Sequence, residues 1–580
     1  MWMTELPPFI PFYIAALLVL ATRGWLRNTI LLVTPVLGGL HLWLGVQPHV
    51  PMVATDALVS AEGLSYQLTV LGYQLELMRV DKLSLLFGYL FHIASFIAII
   101  FALHVRDTTQ QVAGLLYAGS ALGAVFAGDL ITLFIFWEGL ALSSVFLIWA
   151  RRTERAINSG TRYLILQVMS GVLLLAGALI HYHQTGSLAF NYIGIDSTAG
   201  WLILLAFGIK SAFPFLHNWL TEAYPESTPT GTVFLSAFTT KVAVYALARG
   251  FPGTDILIYV GAIMTCFPIF YAVIENDLRR VLAYSMINQV GFMVCGVGIG
   301  TALALNGAVA HAFNDVIFKG LLFMTMGAVL YRVGNINGSD LGGLYKTMPK
   351  TAMLCIVGAS SISAFPLFSG FVSKSMVMSA MLEEGYNYLW LMLLFASAGV
   401  FHHAGIKIPY FAFFHHDSGI RTQEAPANML LAMTIAAILC VFIGTQPQYL
   451  YALLPWHVEY WPYDMTHILA QLQLLFFSAL AFVWLNKQGL YPPELHSVNI
   501  DTEWLYRKLL PATGRVSFSI LQSFNRAVVR IALQVWQKFQ TTFRASRLSK
   551  YHLAESWPTG SMVLWIGLIL GGYLLMDVYF

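Results

Sequence analysis

Residues 210–215, KSAFPF, and residues 363–368, SAFPLF, share the tetrapeptide Ser-Ala-Phe-Pro, 152 positions apart. Each copy interrupts a long apolar run, and each has a lysine close by. Lys210 directly precedes the first copy, and Lys374 lies eight residues after the second proline. Inside a helix, Pro214 and Pro366 each remove one backbone hydrogen bond and loosen the preceding turn. In a membrane such breaks are tolerated only where the helix is buried in protein or lines a wet cavity. Two interrupted helices at matching places in two halves point to an internal structural repeat with sites at mid-membrane. One tetrapeptide leaves the sense of the repeat open. In an inverted repeat the second helix runs the opposite way, which accommodates a lysine on the other side of its proline.

Composition supports the membrane setting. Of 580 residues, 58% are hydrophobic and 10% charged, and mean hydropathy is +0.70, whereas soluble domains carry about 25% charged residues. Apolar stretches near the ~20 residues needed to cross hydrocarbon recur at 9–21, 28–45, 84–104, 130–150, 162–180, 256–274, 388–401, 427–445, 467–485 and 561–576. We expect 14 to 16 spanning helices, an all-α polytopic membrane protein. The opening MWMTELPPFIPF lacks the basic n-region and cleavage site of a signal peptide. Cys266, Cys295, Cys355 and Cys440 stand singly, so neither a zinc nor an iron–sulfur site is indicated. The pairs His402–His403 and His415–His416 point about 100° apart on a helix and are read as interfacial rather than metal-binding. A net charge of +3 gives no basis for nucleic acid as a partner.

Basic residues set the expected orientation. Alternate loops carry Arg23 and Arg27, Arg106, Arg151, Arg152 and Arg155, Arg279 and Arg280, Lys346 and Lys350, and Arg421. The intervening loops carry Glu62, Asp196, Glu383 and Glu384 with few positive charges. The first set is expected in the cytoplasm, which leaves the N-terminus outside a plasma (inner) membrane. The alternating 46–80 segment is expected as short strands on the outer face.

Six formal charges fall inside apolar segments: Glu138, Lys210, Lys241, Asp315, Lys319 and Lys374. At ~2.5–3.5 kcal/mol each, their unpaired cost is roughly 15–20 kcal/mol, larger than a typical net stability of ~5–15 kcal/mol. They must face one another or water. In AVAHAFNDVIFKGLLFM (308–324), His311, Asp315 and Lys319 are spaced i, i+4 and i+8 and stack on one helix face, rising ~6 Å per step. Such a ladder can hold protons at several heights, although an internal salt bridge beside a histidine is also open. A lysine near a helix end, as Lys374 is, can instead snorkel to the interface.

The tail turns polar after 485. In 514–547 a stripe of Arg515, Ser519, Gln522, Arg526, Arg530, Gln534, Gln537, Thr541 and Arg544 runs opposite Phe518, Leu521, Val528, Ile531, Val535 and Phe539. This reads as a basic amphipathic helix of ~50 Å, followed by a final spanning helix at 561–576.

Several segments resemble, in order, the antiporter-like subunits of respiratory complex I and of Mrp-type cation/proton antiporters. They are FWEGLALSSVFLIWA, GIKSAFPFLHNWLTEAYPESTPTG, TTKVAVYALARG, ENDLRRVLAYSMINQVGFM, HAFNDVIFKGLLFM and GFVSKSMVMSA, with MRVDKLSLLFGYLF similar to the start of the third helix. The likeness is dense over roughly 75–415. TKVAVYALAR with GIKIPYFAFFHHDSG looks most like the D-type member of the Mrp antiporters. The resemblance implies about fourteen core helices with two inverted five-helix repeats, helices 4–8 and 9–13, and breaks in helices 7 and 12. It implies that Glu138 is the helix 5 glutamate paired with Lys210 of helix 7. Lys241 matches the helix 8 lysine, His311 and Lys319 the helix 11 pair, Lys374 the helix 12 terminal residue, and His217 the histidine after the first break. Asp315 stands where the L-type subunit of complex I commonly has a second histidine, and Ser236 replaces another. The amphipathic helix resembles the lateral helix of the L-type subunit and of the A-type member of the Mrp antiporters.

On this basis the chain divides into N-terminal helices (1–110), a first repeat (111–250), a second (251–415), C-terminal helices (416–486) and a linker, lateral helix and terminal helix (487–580). The expected function is proton translocation in an Mrp-like monovalent cation (Na+)/proton antiporter complex, through a mid-membrane row of Glu, Lys and His. The expected partners are other membrane subunits, lipid and protons, with any Na+ route in neighbouring subunits. No cofactor or metal is expected in the chain. A proton-pumping subunit of a respiratory, hydrogenase or inorganic-carbon uptake complex remains the alternative. A membrane enzyme using His311 as a base lacks any nucleophile motif.

Overall fold

Helices begin where short polar side chains can take the free N–H groups of a first turn. Asp81 caps α3 (Lys82–Ala102) in a reciprocal box with Ser84, Asp107 caps α4 (Thr108–Phe126) and Asp129 caps α5 (Leu130–Trp149). Thr153 caps α6 (Glu154–Thr185) and Ser197 caps α7 (Thr198–Lys210). The computed structural model of the protein describes residues 6–47, 64–70, 72–457, 459–496, 499–545 and 559–579. The chain divides into two compact units, Met1–Asn499 and Ile500–Phe580.

The first unit opens with α1 (Ile10–Ala21) and α2 (Gly24–Leu40), then the hairpin of β1 (Leu64–Val70) and β2 (Tyr73–Val80) before α3. The two strands pair antiparallel with an irregularity between Tyr66 and Gln67, as the alternating pattern leads one to expect. Residues 48–63 of the expected hairpin lie outside the described residues. After α7 come α8 (Asn218–Glu226), α9 (Gly231–Ala237), α10 (Thr239–Gly250), α11 (Ile256–Ile274), α12 (Leu278–Ile299) and α13 (Ala302–Val333). They are followed by α14 (Pro349–Ile362), α15 (Ser369–Glu383), α16 (Asn387–Val400), α17 (Ala427–Thr445), α18 (Gln448–Tyr451) and α19 (Met465–Lys487). Beyond α16 the same span winds on as π-helix at Phe401–Lys407 and Tyr410–Phe414.

Among the described residues, twelve helical spans are long and apolar enough to cross a membrane, and three shorter apolar helices accompany them. The twelve fall short of the fourteen to sixteen expected, in part because proline breaks leave helices such as Thr198–Lys210 and Pro349–Ile362 too short to span alone. The most apolar window in Gly231–Gly250 is wholly buried and that in Leu278–Ile299 is 94% buried, against 33% in Gly24–Val46. The helices that carry Lys241, His311, Asp315 and Lys319 are thus among the most enclosed.

Ties between loops sort into two groups. In one, Arg151 and Arg155 reach Glu226, Arg152 reaches Asp107 and Arg27 reaches Thr108. In the other, backbone bonds join Gly128 to Glu76, Ile193 to Gly250 and Gly253 to Val297. The first group holds most of the loop arginines, while Arg79 and Arg249 lie with the second, Arg249 paired with Asp81.

The two Ser-Ala-Phe-Pro breaks are built alike. Ser211, Ala212 and Phe213 donate to the carbonyls of Phe207, Ile209 and Gly208, while Ser363, Ala364 and Phe365 donate to those of Ala359, Ser361 and Ser360. Ala212 and Phe215 have φ of 61° and 68°, and their counterparts Ala364 and Leu367 have 55° and 74°. Non-glycine residues seldom adopt this left-handed region. A second correspondence joins loops: Leu130 donates to Leu188 and Phe190 to Gly128, as Leu278 does to Ile336 and Gly338 to Asn276. Asp129 and Asp277, which cap α5 and α12, sit at the same place in each pattern.

The second unit holds α20 (Leu510–Ala545) and α21 (Thr559–Tyr579). Helix α20 covers the expected amphipathic stretch through residue 545, and the two last residues of that stretch lie outside the described ones.

Candidate functional site

Asp315 sits midway along α13, and every residue from Ala304 to Leu330 on that helix is buried. Its carboxylate reaches across to α10, where Lys241 Nζ lies 2.6 Å from Oδ2 with both side chains wholly buried. Lys241 also donates to the Ser236 carbonyl at 3.2 Å. That carbonyl is turned toward it at the junction of α9 and α10, where Phe238 (φ −108°, ψ −65°) departs from helical geometry. The Asp315 partner is thus a lysine on another helix, not Lys319 one turn further along its own.

Lys319 Nζ donates to Ser285 Oγ of α12 at 2.8 Å. An ammonium has three donors, and this is its one hydrogen bond to the described residues. His311, two turns earlier, lies 3.0 Å from Gln289 Oε1 through Nε2 and 3.0 Å from Ser373 Oγ through Nδ1. Gln289 gives its amide to Asn288 Oδ1 at 2.7 Å, so its carbonyl faces the imidazole and Nε2 carries the proton. Nδ1 then accepts from Ser373. A second proton on Nδ1 turns that hydroxyl toward the Ser369 carbonyl, 3.4 Å away. Ser369 opens α15 directly after the second break, which sets the imidazole beside that break.

Lys374 is buried, not snorkelling. Its Nζ has no hydrogen-bond partner among the described residues and sits 4.8 Å from the centre of the Phe292 ring. It borders a cavity of about 310 Å³ that His467, Ser375, Ser379 and Gln471 also line.

The first break gathers a second group. Lys210, wholly buried, donates to the Trp137 carbonyl at 2.9 Å and lies 5.0 Å over the same indole. Trp137 Nε1 donates to Ser170, which donates to the Ala206 carbonyl. Glu138 follows Trp137 in sequence, and its carboxylate fills the space beside Gly171 of α6, where any Cβ would strike it. Among the described residues no ion pair joins Glu138 to Lys210, although the resemblance implies one. The lysine grips the neighbouring backbone carbonyl instead, and Glu138 Oε1 is buried without a hydrogen-bond partner. His217 is 1% exposed just before α8, its ring 4.7 Å from that of Phe267.

The structure corrects one reading and adds residues. His403 is not interfacial: it is wholly buried. The π-helical segment that carries it is enclosed by α11, α12, α14 and α19, whereas His402 stacks on Tyr491. His415 and His416 are exposed, in keeping with an interfacial position. Lys407, also wholly buried, pairs with Glu494 at 2.8 Å. A lysine in an apolar run was a visible signal; its partner in the polar linker was not. Arg279, fully buried at the start of α12, holds the carbonyls of Tyr224, Pro225, Ser227 and Thr228. It thereby closes the end of the interrupted helix α8 with a positive charge, as a helix C-terminus favours. Among the described residues no three His, Cys, Asp or Glu side chains form a metal-binding group.

A buried row of lysines, a carboxylate and a histidine between two broken helices is the arrangement on which a comparison with known proteins bears. The family model described as "NADH:quinone oxidoreductase/Mrp antiporter, TM" matches residues 127–445, more than half of the chain. The chain belongs to that family. Hydrogenase-4 component B of Escherichia coli K12 is 26% identical over 427 residues, covering 64% of this chain and 63% of that protein. The chain thus spans less than two thirds of that relative. The D-type subunit of the Na(+)/H(+) antiporter of Alkalihalophilus pseudofirmus is 29% identical over 356 residues, 57% of this chain and 72% of that protein. In structure, a chain of the membrane-bound sulfane sulfur reductase, an archaeal respiratory membrane complex, superposes with a TM-score of 0.70 at 22% identity. It covers 98% of this chain and 100% of that one, so the likeness of fold extends through the tail.

Proposed function

We propose that this antiporter-like chain is a proton-translocating subunit of a multi-subunit Mrp-like monovalent cation/proton antiporter. The observation that carries the reading is the buried row on α13. His311, Asp315 and Lys319 stand one turn apart, with Lys241 bonded to the middle member and Lys374 bare beyond it. Two unit charges one step (~6 Å) apart interact by about 2.8 kcal/mol at an effective dielectric of ~20. That is roughly a hundredfold in proton affinity. A proton arriving at one member therefore weakens its neighbour's hold, and charge moves along the row rather than accumulating. Glu138 and Lys210 feed the row at the first break, Lys374 serves its far end, and His217 supports the turn after Pro214.

Protons alone pass through this chain. The row has four lysines (Lys210, Lys241, Lys319 and Lys374) against two carboxylates, and lysine offers no lone pair to a cation when charged. Any Na+ route lies in a neighbouring subunit or at an interface. The matched breaks and loop ties support reading 111–250 and 251–415 as two repeats of opposite sense. The gathering of arginine-bearing loops on one face supports a cytoplasmic assignment for that face and an outside N-terminus in the plasma membrane. Similarity to hydrogenase-4 component B favours a second reading, a redox-driven pump with the same proton row.

The test is proton movement in sealed vesicles carrying the complete assembly, with Glu138→Gln and Lys210→Ala at matched protein levels. Each is expected to abolish ion-coupled proton movement while the assembly persists. Wild-type rates in either remove that residue from the mechanism, and a sodium ion resolved among the row's oxygens contradicts proton-only passage.

A further inference from the structure

The cavity of about 310 Å³ beside Lys374 is walled by α15, α16, α19 and the second break. Lys374 is 3% exposed, and its ammonium has no hydrogen-bond partner among the described residues. His467, on the first turn of α19, borders the same space, and its side chain is 36% exposed. One cavity therefore joins a buried charge to an imidazole within reach of solvent. At ~30 Å³ per water it has room for about ten.

His467 is held in one orientation. Its Nδ1 bonds to the carboxylate of Asp464, which caps α19 and also takes the His467 backbone N–H at 2.8 Å. The backbone bond, with that from the ring, holds the Asp464 carboxyl below its usual range. An ionised carboxylate only accepts, so Nδ1 carries the proton and Nε2 the lone pair. Nε2 lies 3.1 Å from Ser379 Oγ, and that hydroxyl is 3.3 Å from Tyr460 OH. Ser379 lines the cavity and stands five residues beyond Lys374 on α15, a rise of about 7.5 Å. When Nε2 takes a proton, Ser379 accepts from it and turns its own hydrogen toward Tyr460. Asp464 then balances the imidazolium.

The cavity also reaches the second break: Ala364 lines it, and Gln471 Nε2 donates to the Ser363 carbonyl at 3.0 Å. Beyond Ser379, α15 ends at Glu383. His467 thus lies toward the opposite end of this interrupted span from Lys346 and Lys350, which sit where α14 begins. The titratable groups around His467 are Asp464 and Tyr460 from the segment before α19 and Lys374 from α15, with Glu383 acting on Tyr460. From α16 the wall takes Trp390, Leu394 and Ser397, none of them a titrating group.

The geometry points to this cavity as a water-filled port through which Lys374 exchanges protons with the solution, with His467 as its proton station and Asp464 and Ser379 as positioning residues. This rests on the reading of α13 as a proton row whose far end is Lys374. In the outward step, the Nζ–H bond of Lys374 breaks and its electron pair stays on nitrogen, leaving a neutral amine. The proton passes through water to the lone pair on Nε2, which forms imidazolium. The imidazolium gives a proton to solvent, and the amine is recharged from the row. Uptake runs the same bonds in reverse.

The experiment measures proton movement in vesicles carrying the complete assembly, against the pH on each side of the membrane in turn. It compares wild type with His467→Gln, His467→Asn, Leu394→Trp, His415→Gln and Lys319→Met. His467→Gln keeps a hydrogen-bonding side chain but cannot take a second proton. It is expected to slow movement at least about tenfold and to remove, on one side only, the limb of the pH profile near ~6.5 where histidine titrates. Leu394→Trp fills the cavity and is expected to slow movement as much while the limb remains. His415→Gln, at an exposed position away from the cavity lining, is expected to change neither. A His467→Gln variant with wild-type rate and an unchanged profile overturns the proposal and leaves the cavity to a lipid tail. A slowed variant that keeps the limb overturns the station, and failure of both His467 variants to assemble assigns the residue a structural role and overturns it too. Lys319→Met separates the two levels. If it runs at the wild-type rate, the proton row itself falls; if it stops while His467→Gln runs, only the port falls.

Discussion

Replacing Asp315 by Asn removes one charge from the pair at 2.6 Å and leaves Lys241 with the Ser236 carbonyl, at 3.2 Å, as its one other acceptor among the described residues. Breaking one side of a wholly buried pair costs about 3–5 kcal/mol, because the remaining charge is uncompensated. The variant is therefore expected to lose about 3–5 kcal/mol. The Lys241→Met/Asp315→Asn double variant loses less than Asp315→Asn alone, since no charge is stranded. Reversible denaturant titration of the full chain in lipid nanodiscs at pH 7, followed by tryptophan fluorescence, reads both variants. A loss under about 1 kcal/mol at pH 7, or a double variant weaker than the single, refutes the reasoning.

Other expectations bear on separate parts of the molecule. Gly171→Ala places a methyl where the Glu138 carboxylate lies. Because the end of a flexible side chain can move aside, unfolding should change by less than about 1 kcal/mol while vesicle proton movement falls at least about tenfold. Ala212→Gly and Ala364→Gly relieve left-handed backbone at φ 61° and 55° and should each stabilise by up to about 1 kcal/mol in the same titration; Val at either position should destabilise. Deleting residues from 511 onward removes α20 and α21 and should loosen association with partner subunits in mild detergent. The 75–415 core should stay folded by circular dichroism, and an intact complex would leave α20 as a membrane-surface element only.

The fold was legible where local chemistry decides it. Proline inside an apolar run marked both breaks, and the shared tetrapeptide carried the same hydrogen bonds and the same left-handed alanine in each copy. The spacing of His311, Asp315 and Lys319 placed them on one helix face because helical periodicity is local. Their partners were another matter. Lys241 meets Asp315 from 74 residues away, and Glu494 meets Lys407 from 87. Which helix faces which is settled by packing, and no spacing within one segment encodes it. His403 was misread for a related reason. Adjacent histidines do diverge on a helix, but only the enclosing helices decide that one is buried and the other stacked on Tyr491. The Glu138–Lys210 pair implied by resemblance lies beyond ion-pair contact, with Lys210 donating to the Trp137 carbonyl, while the two charges still act on each other.

The central claim is that buried charges on α13 carry protons, and Lys319 tests it most directly because it has one hydrogen bond to described residues, to Ser285. Lys319→Met keeps the volume and removes the titrating group. In sealed vesicles bearing the complete assembly, with an internal pH dye and protein levels matched by quantitative blotting, driven proton movement is expected to fall to background while the assembly remains intact. Proton movement at the wild-type rate in that variant would contradict the claim.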